Sequence, residues 1–195
     1  DREHMDYYKS LNDLKNLFIS FINKVPSFGK SFICIDDKNN EALLKKIKIK
    51  NYHTYGTNLK SQFHIKNIKL TKEYSEYDLA IKLPGKKNIT INKIKIPLLG
   101  LHNIRNATAA AAVASTIGIP KEIIKKGLKD FKGVQRRFNK IFTYRGTSFY
   151  DDYAHHPTEI KEVLNGIRAT YKKDKIICIF QPHRISRLKD LKKEF

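Results

Sequence analysis

The segment Asp151-Asp152-Tyr153-Ala154-His155-His156-Pro157-Thr158-Glu159 joins a short apolar run to an amphipathic one. The apolar run, residues 147–152, predicts a strand. Residues 157–171 predict a helix that begins at Pro157, because proline is favoured in a first helical turn. A buried strand that ends in acids, a tyrosine and two histidines is poorly suited to a core, but it is typical of a ligand site at the carboxyl end of a parallel sheet.

A second predicted strand, residues 175–180, leads into Gln181-Pro182-His183-Arg184-Ile185-Ser186-Arg187. Strand, helix and strand together predict a βαβ unit with parallel strands and a right-handed crossover. Both polar loops would then share one sheet edge, facing the positive N-terminus of the helix. The two arginines carry paired donors suited to carboxylate or phosphate, which predicts an anionic ligand. Solvated arginines and helix-capping histidines explain the same residues equally well.

Apolar periodicity predicts the elements of the first half of the chain. Residues 7–23 predict an amphipathic helix, with Leu11, Leu14, Phe18, Phe21 and Ile22 on one face. A buried strand at 31–35 and a helix at 40–47 follow. Apolar residues then alternate between 63 and 98, which predicts antiparallel strands with one wet face. A change of phase predicts a bulge near Asn92-Lys93, and Pro84-Gly85 predicts a turn.

Two helices, at about 103–117 and 120–131, precede a non-periodic loop at 133–138. We place a domain boundary in that loop, which divides the chain into residues 1–135 and 136–195. The first of these helices opens with Asn103 and Asn106 on one face, and a side-chain amide carries the donor and acceptor that an adenine edge requires. A helix cap and a surface amide are the simpler explanation of the same residues.

Two further features are ambiguous by themselves. Arg136 and Arg137 lie at the proposed domain junction, where an arginine can reach a phosphate, although such pairs are more often solvated. His4 could bind a metal ion as a neutral imidazole, but a single histidine near a terminus usually has no such role.

Composition narrows the classes of function. The net charge of +20 suits small anions such as nucleotides. The lysines are spread along the sequence, so a dedicated nucleic-acid role is a weaker alternative. No apolar run is long enough for a membrane span. Cys34 and Cys178 lie in apolar runs and are expected to be buried free thiols, consistent with a reducing cytoplasm.

Five motifs occur in one order along the whole chain: His4-Met5-Asp6, Gly100-Leu101-His102-Asn103-Ile104-Arg105-Asn106-Ala107, Arg136-Arg137-Phe138, the segment 151–159, and Phe180-Gln181-Pro182-His183-Arg184. This order resembles the Mur ligase family, the ATP-dependent amide-forming enzymes of peptidoglycan assembly. The resemblance implies an α/β fold. Residues 1–135 would be part of a P-loop-type central ATPase domain with an antiparallel strand section, and 136–195 the first βαβ unit of a Rossmann-like domain.

The resemblance also implies site residues. It assigns a magnesium ligand to His4 and the ATP site to His102, Asn103, Asn106, Arg137 and Asp152. It assigns substrate contacts to Tyr153, His155, His183, Arg184 and Arg187, and catalytic roles to Arg137, His155, Arg184 and Arg187.

The branch of the family that joins L-alanine to UDP-N-acetylmuramate fits best. Activation of the muramate carboxylate by ATP and attack by the amine of L-alanine are therefore expected, in the cytoplasm and with Mg²⁺. A murein tripeptide recycling ligase is the alternative within the family. Phe18-Ile19-Ser20 lacks the lysine that several sister ligases carbamylate, in agreement with the alanine-adding branch.

The chain departs from the family pattern in three respects. The phosphate-binding Gly-x-x-Gly-Lys-Thr loop and the UDP-binding domain are absent from the sequence, and Leu188 stands where relatives often have Thr. We therefore expect a piece of a longer protein, inactive without the P-loop.

Overall fold

A computed structural model describes residue 2, residue 5, and residues 7–48 and 51–195. Within those residues no helix combines the length and the apolar content that crossing a membrane would require. The helices are α1 Leu11–Asn23, α2 Lys38–Leu43, α3 Leu101–Thr116, α4 Lys121–Asp130, α5 Pro157–Thr170 and α6 Ile185–Asp190. The strands are β1 Ser31–Cys34, β2 Tyr52–Gly56, β3 Phe63–Leu70, β4 Ser75–Ile81, β5 Ile89–Ile96, β6 Asn139–Tyr144 and β7 Thr147–Asp151.

A five-stranded sheet in the order β1-β2-β3-β4-β5 organises the first two thirds of the chain. The first three strands are parallel, and β3, β4 and β5 are antiparallel. This arrangement confirms the predicted α/β class and its antiparallel section. β2 was not predicted, because Tyr52-His53-Thr54-Tyr55-Gly56 contains no apolar alternation.

The main core lies between the sheet and α3. Phe63 and Leu79 from the sheet are fully buried, and Ile104 and Ala111 from α3 pack in the same cluster. Small alanine side chains let the helix lie close to the strands, which explains the alanine-rich sequence. α4 adds Ile124 to the same core.

Residues of β1 pack on both faces of the sheet. Phe32 packs on the main core, whereas Ile33 forms a second, smaller cluster with Ile35 and Ile47. Ile22 of α1 packs on that second cluster. The predicted apolar face of α1 is only partly correct, since Phe18 is 51% exposed and Phe21 is 70% exposed. In the described part of the chain, packing reaches α1 through Ile22 rather than through these two rings.

Two bulges interrupt the antiparallel section, and Asp78 holds both. Asn92 and Lys93 of β5 lie opposite Asp78, as the change of phase predicted, and the Lys93 N–H donates to Asp78 Oδ1 over 2.7 Å. On the other side of β4, Asn67 donates through Nδ2 to Asp78 Oδ2 over 2.7 Å, beside a register shift between Lys66 and Lys69. Asn67 and Lys93 have positive φ angles of 53° and 54°. One carboxylate therefore stabilises two irregular turns of backbone.

The part of the chain after residue 133 differs from the predicted βαβ unit. β7 pairs with β6 in an antiparallel hairpin, and β6 was not predicted because most of its side chains are exposed. Residues 175–180 form no strand. A strand needs a hydrogen-bonded neighbour, and no described strand pairs with this segment, so Ile177 and Ile179 are 73% and 95% exposed. Both cysteines are free as predicted, but Cys178 is exposed for the same reason and Cys34 is half-buried.

Candidate functional site

The N-terminus of α5 is stabilised by the segment 151–159. The Nδ1 atom of buried His156 accepts a hydrogen bond from the Thr158 N–H over 3.2 Å. In return Glu159 Oε2 accepts the N–H groups of His155 and His156 over 3.0 and 3.3 Å. These bonds form a capping box, so His156 has a structural role at the start of α5. The alternative prediction, that the histidines cap this helix, is therefore correct for His156.

Asp152 fixes the loop that follows β7 against the loop at 136–138. Its Oδ2 accepts the Phe138 N–H and its Oδ1 accepts the Ala154 N–H, each over 2.7 Å. Each carboxylate oxygen keeps a second lone pair, so a ligand hydroxyl could still donate to it.

Arg136, Tyr153 and His155 form a compact cluster beside Asp152. The Arg136 guanidinium lies 4.8 Å from the centre of the Tyr153 ring, and its Nε is 3.4 Å from Asp151 Oδ2. The Tyr153 N–H donates to the Arg136 carbonyl over 2.8 Å. The His155 ring packs edge-on against Tyr153, and its Nδ1 is 2.8 Å from the Tyr153 carbonyl oxygen. These contacts orient both rings, which the sequence predicted as substrate contacts.

Arg137 projects from the same loop with an exposed side chain. Its backbone N–H donates to Asn139 Oδ1 over 2.8 Å, which holds the loop without engaging the guanidinium. The exposed side chain therefore belongs to the loop that Asp152 holds through the Phe138 N–H, where an anion could approach.

The start of α3 carries three of the five residues predicted for the ATP site, namely His102, Asn103 and Asn106. Asn103 Nδ2 donates to the Leu99 carbonyl over 2.8 Å and so caps the loop before the helix. The Asn106 amide is exposed. His102 is half-buried, and among the described residues its Nδ1 has no hydrogen-bond partner. Burial lowers the pKa of His102, and the nearby carboxylates of Glu162 and Asp152 offset this shift only in part.

Backbone contact joins α3 to α5. A Cβ atom built on Gly166 of α5 would lie 3.1 Å from the Gly100 Cα atom, which directly precedes α3. Gly100 has φ 91°, a conformation that other residues rarely adopt. His102 lies against both glycines. The turn that begins α3 therefore packs against the second half of α5.

Three residues beside this contact were not predicted. Arg105 Nε donates to Asp36 Oδ2 over 2.7 Å, and Arg105 Nη1 lies 3.7 Å from Glu162 Oε2 on α5. Asp36 follows β1 by two residues, so its carboxylate lies at the carboxyl end of the parallel strands. Nothing in the local sequence pattern links positions 36, 105 and 162, because they meet only through the fold.

His183, Arg184 and Arg187 lie outside the cluster around Asp152. His183 and Arg184 are exposed, and Arg187 Nη1 donates to the His183 carbonyl over 3.2 Å within the turn that starts α6. The prediction that a parallel strand brings them to residues 151–155 is wrong, because residues 175–180 form no strand. Their role at the site stays a prediction. His4, the predicted metal ligand, lies outside the described residues.

A separate basic groove lies between β5 and α4. Lysines that are spread along the sequence come together there, so the folded surface has a local concentration of positive charge. The groove is lined by Lys93, Lys95, Glu122, Lys125, Lys126, Lys129 and Asp130. Two acids lie among flexible lysine side chains, so the groove does not have the fixed donors of a specific anion site.

Known proteins resemble both parts of the chain. Residues 1–114 match the Mur ligase middle domain, and residues 136–195 match the Mur ligase glutamate ligase domain. A UDP-N-acetylmuramate–L-alanine ligase of Pelagibacter ubique strain HTCC1062 is 79% identical over 195 residues, and one of Chelativorans sp. strain BNC1 is 39% identical over 196 residues. Each alignment covers 100% of this chain and 42% of the relative.

Among solved structures, the UDP-N-acetylmuramate–alanine ligase of Thermotoga maritima superimposes with a TM-score of 0.70 at 26% identity. The superposition covers 97% of this chain and 41% of that one. The chain thus spans about two fifths of the length of the relatives it matches.

Proposed function

Because the chain belongs to the Mur ligase family, we propose that the whole protein joins L-alanine to the carboxylate of UDP-N-acetylmuramate at the expense of ATP. The observation that supports this most strongly is the 79% identity, across all 195 residues, to a relative named for that reaction. The proposal places the protein in the cytoplasm, in the synthesis of cell-wall precursors.

In the proposed reaction a muramate carboxylate oxygen attacks the γ-phosphorus of ATP, which forms an acyl phosphate and releases ADP. The amine of L-alanine then attacks the acyl carbon, loses a proton, forms the amide bond and releases phosphate. Bound magnesium would offset phosphate charge during transfer, and His4 is the residue proposed to hold it. The protein must therefore bind several anionic groups close together and keep water away from the acyl phosphate.

The nucleotide would lie between the start of α3 and the loop that follows β7. Asn106 presents an exposed amide to the adenine edge, while His102 and Asn103 hold the turn behind it. Asp152 accepts from the ribose, and Arg137 approaches the phosphates. In support, Asp152 raises and Arg137 lowers the pKa of the His102 side chain, although burial has the larger effect.

The amino-acid side of the site would be formed by Tyr153 and His155 together with His183, Arg184 and Arg187. When His155 donates through Nδ1 to the Tyr153 carbonyl, its Nε2 is the basic nitrogen. That atom is suited to take the proton that the amine loses on forming the amide. The arginines supply forked donors for the muramate and alanine carboxylates.

Product formation by the whole protein tests the proposal. We expect ATP, UDP-N-acetylmuramate and L-alanine to yield ADP, phosphate and the amide, measured by mass spectrometry. Replacing L-alanine by murein tripeptide should abolish product. Turnover with tripeptide alone would assign the recycling reaction instead. A lack of turnover together with tight, strongly salt-dependent DNA binding would favour the nucleic-acid alternative.

The contribution of Arg184 can be tested in the same assay. Arg184→Ala should lower kcat/KM by roughly one to three powers of ten, the scale for losing a positioned charge at a transition state. Lys189→Ala, which removes another exposed cation from α6, is the matched control and should leave activity unchanged. Equal activity of the two variants would remove Arg184 from the site.

A further inference from the structure

Arg105 contacts acidic residues on two different parts of the fold. Its Nε donates to Asp36 Oδ2 over 2.7 Å at the sheet edge, and its Nη1 lies 3.7 Å from Glu162 Oε2 on α5. The Arg105 side chain is 27% exposed, so both contacts are partly screened from water. A guanidinium can serve two carboxylates at once because its donors point in different directions.

The Asp36 end of this arrangement is fixed. Its side chain is only 6% exposed, and Oδ1 accepts the N–H groups of Thr57 and Asn58 over 2.8 and 3.0 Å. A Cβ atom on Gly56 would overlap the carboxylate. The backbone of the loop after β2 is therefore fitted closely around Asp36, which leaves Arg105 little freedom at this end.

The Glu162 end is looser. The separation of 3.7 Å is longer than a hydrogen bond, and the Glu162 side chain is 41% exposed. Glu162 lies one turn after Glu159, which caps α5 and orders His155. The Glu162 contact with Arg105 therefore joins α3 to the first half of α5, next to the turn that Glu159 caps.

We propose that Arg105 is a positioning residue that sets the spacing between Asn106 on α3 and Asp152 before α5, using Asp36 as its anchor and Glu162 as its adjustable contact. Arg105 precedes Asn106 directly in the helix. The inference rests on the proposed function, in which those two residues bind the adenine and ribose of one ATP. Disturbing the Glu162 contact should therefore weaken ATP binding more than the chemical step.

Three variants of the whole protein separate positioning from simple support of the fold. Glu162→Gln removes only the α5 contact and keeps the buried Asp36 pair. Arg105→Lys keeps a cation for Asp36 but loses the second arm of the fork. Asp174→Asn is the matched control, because Asp174 bonds Lys72 over 2.9 Å between the same two parts of the chain but involves none of the proposed site residues.

We expect Glu162→Gln and Arg105→Lys to raise the KM for ATP roughly threefold to tenfold while kcat changes less than about twofold. Both should also speed hydrogen exchange at the start of α5 in the absence of nucleotide. Asp174→Asn should change neither quantity.

An unchanged KM for ATP and unchanged exchange in α5 for both variants would overturn the proposal and leave Arg105 as a partner of Asp36 alone. A fall in kcat at constant KM would overturn it as well. If the wild-type protein shows no ATP-dependent turnover, the proposed function fails, whereas the exchange measurement still decides whether Arg105 couples α3 to α5.

Discussion

Gly100 and Gly166 bring α3 and α5 into backbone contact, since a Cβ atom on Gly166 would lie 3.1 Å from Gly100 Cα. Gly166→Ala is therefore expected to destabilise the protein by about 1–2 kcal/mol, because the facing atom is backbone and cannot move aside. Chemical unfolding measures this effect.

Gly127 in α4 is the matched control, because a Cβ atom there would meet nothing within 4 Å. Gly127→Ala should stabilise the protein by up to about 1 kcal/mol through helix propensity. Equal stabilisation by both substitutions would show that the contact between α3 and α5 tolerates a methyl group.

Asp36 should be among the carboxylates on which folding depends most. Asp36→Asn removes the charge that faces Arg105 and weakens its bonds to the Thr57 and Asn58 N–H groups. A loss of about 2–4 kcal/mol in the free energy of unfolding is expected, because a partly buried arginine keeps only its looser contact with Glu162. The exposed Asp174 should lose less than about 1 kcal/mol when changed to Asn. Comparable losses at the two positions would contradict the burial of the Asp36 pair.

Asp78 should link stability to acid pH. Burial by itself would raise the pKa of Asp78, but hydrogen bonds from Asn67 and the Lys93 N–H outweigh it and lower the pKa below its usual value. The folded state therefore binds a proton less readily than the unfolded state. The resulting stability is complete above the unfolded pKa of about 4 and disappears as the pH falls below it.

Asp78→Ala should consequently cost about 1–2 kcal/mol at neutral pH and flatten the acid limb of the stability curve. Glu76→Gln on the same strand, which loses only a 3.5 Å pair with Lys95, should cost less than about 1 kcal/mol. An unaltered acid limb in Asp78→Ala would show that the bulges do not depend on this carboxylate.

His102 should link stability to pH in a milder range. Burial lowers its pKa, so the folded state favours the neutral ring more strongly than the unfolded state does. Its contribution is complete above the unfolded pKa of about 6.5 and is lost as the pH falls below that value. Between pH 7 and 5, the free energy of unfolding of the wild-type protein should therefore fall more steeply with decreasing pH than that of His102→Gln. Part of the slope should remain in the variant, because burial also lowers the pKa of His53.

The elements predicted best from the sequence are those whose formation depends on residues close by in the sequence. α3, α4 and the bulge at Asn92-Lys93 follow from local periodicity, and α5 follows from Pro157 and its capping residues. Residues 175–180 carry an apolar strand pattern, but a strand forms only when another strand supplies hydrogen bonds. β2 and β6 show the converse, since polar segments become strands when a partner lies beside them.

The candidate site was predictable to a similar extent. The titratable residues of the segment 151–159 indicated a site. In the structure, Asp152 and His155 lie in one cluster with the loop at 136–138. Arg105 could not be recognised, because its partner Asp36 is 69 residues away. The assigned roles of the site residues remain predictions for the assays described above.

The contacts of Asp36 also bear on the order of events during folding. They close chain segments of 21, 22 and 69 residues, whereas the β3–β4–β5 hairpins need only short connections. Closing long segments costs more chain entropy, so such contacts tend to form after the local ones. We therefore expect substitutions at Asp36 to accelerate unfolding while leaving the refolding rate nearly unchanged. The anchor of the α3–α5 contact would then be among the last parts of the molecule to assemble.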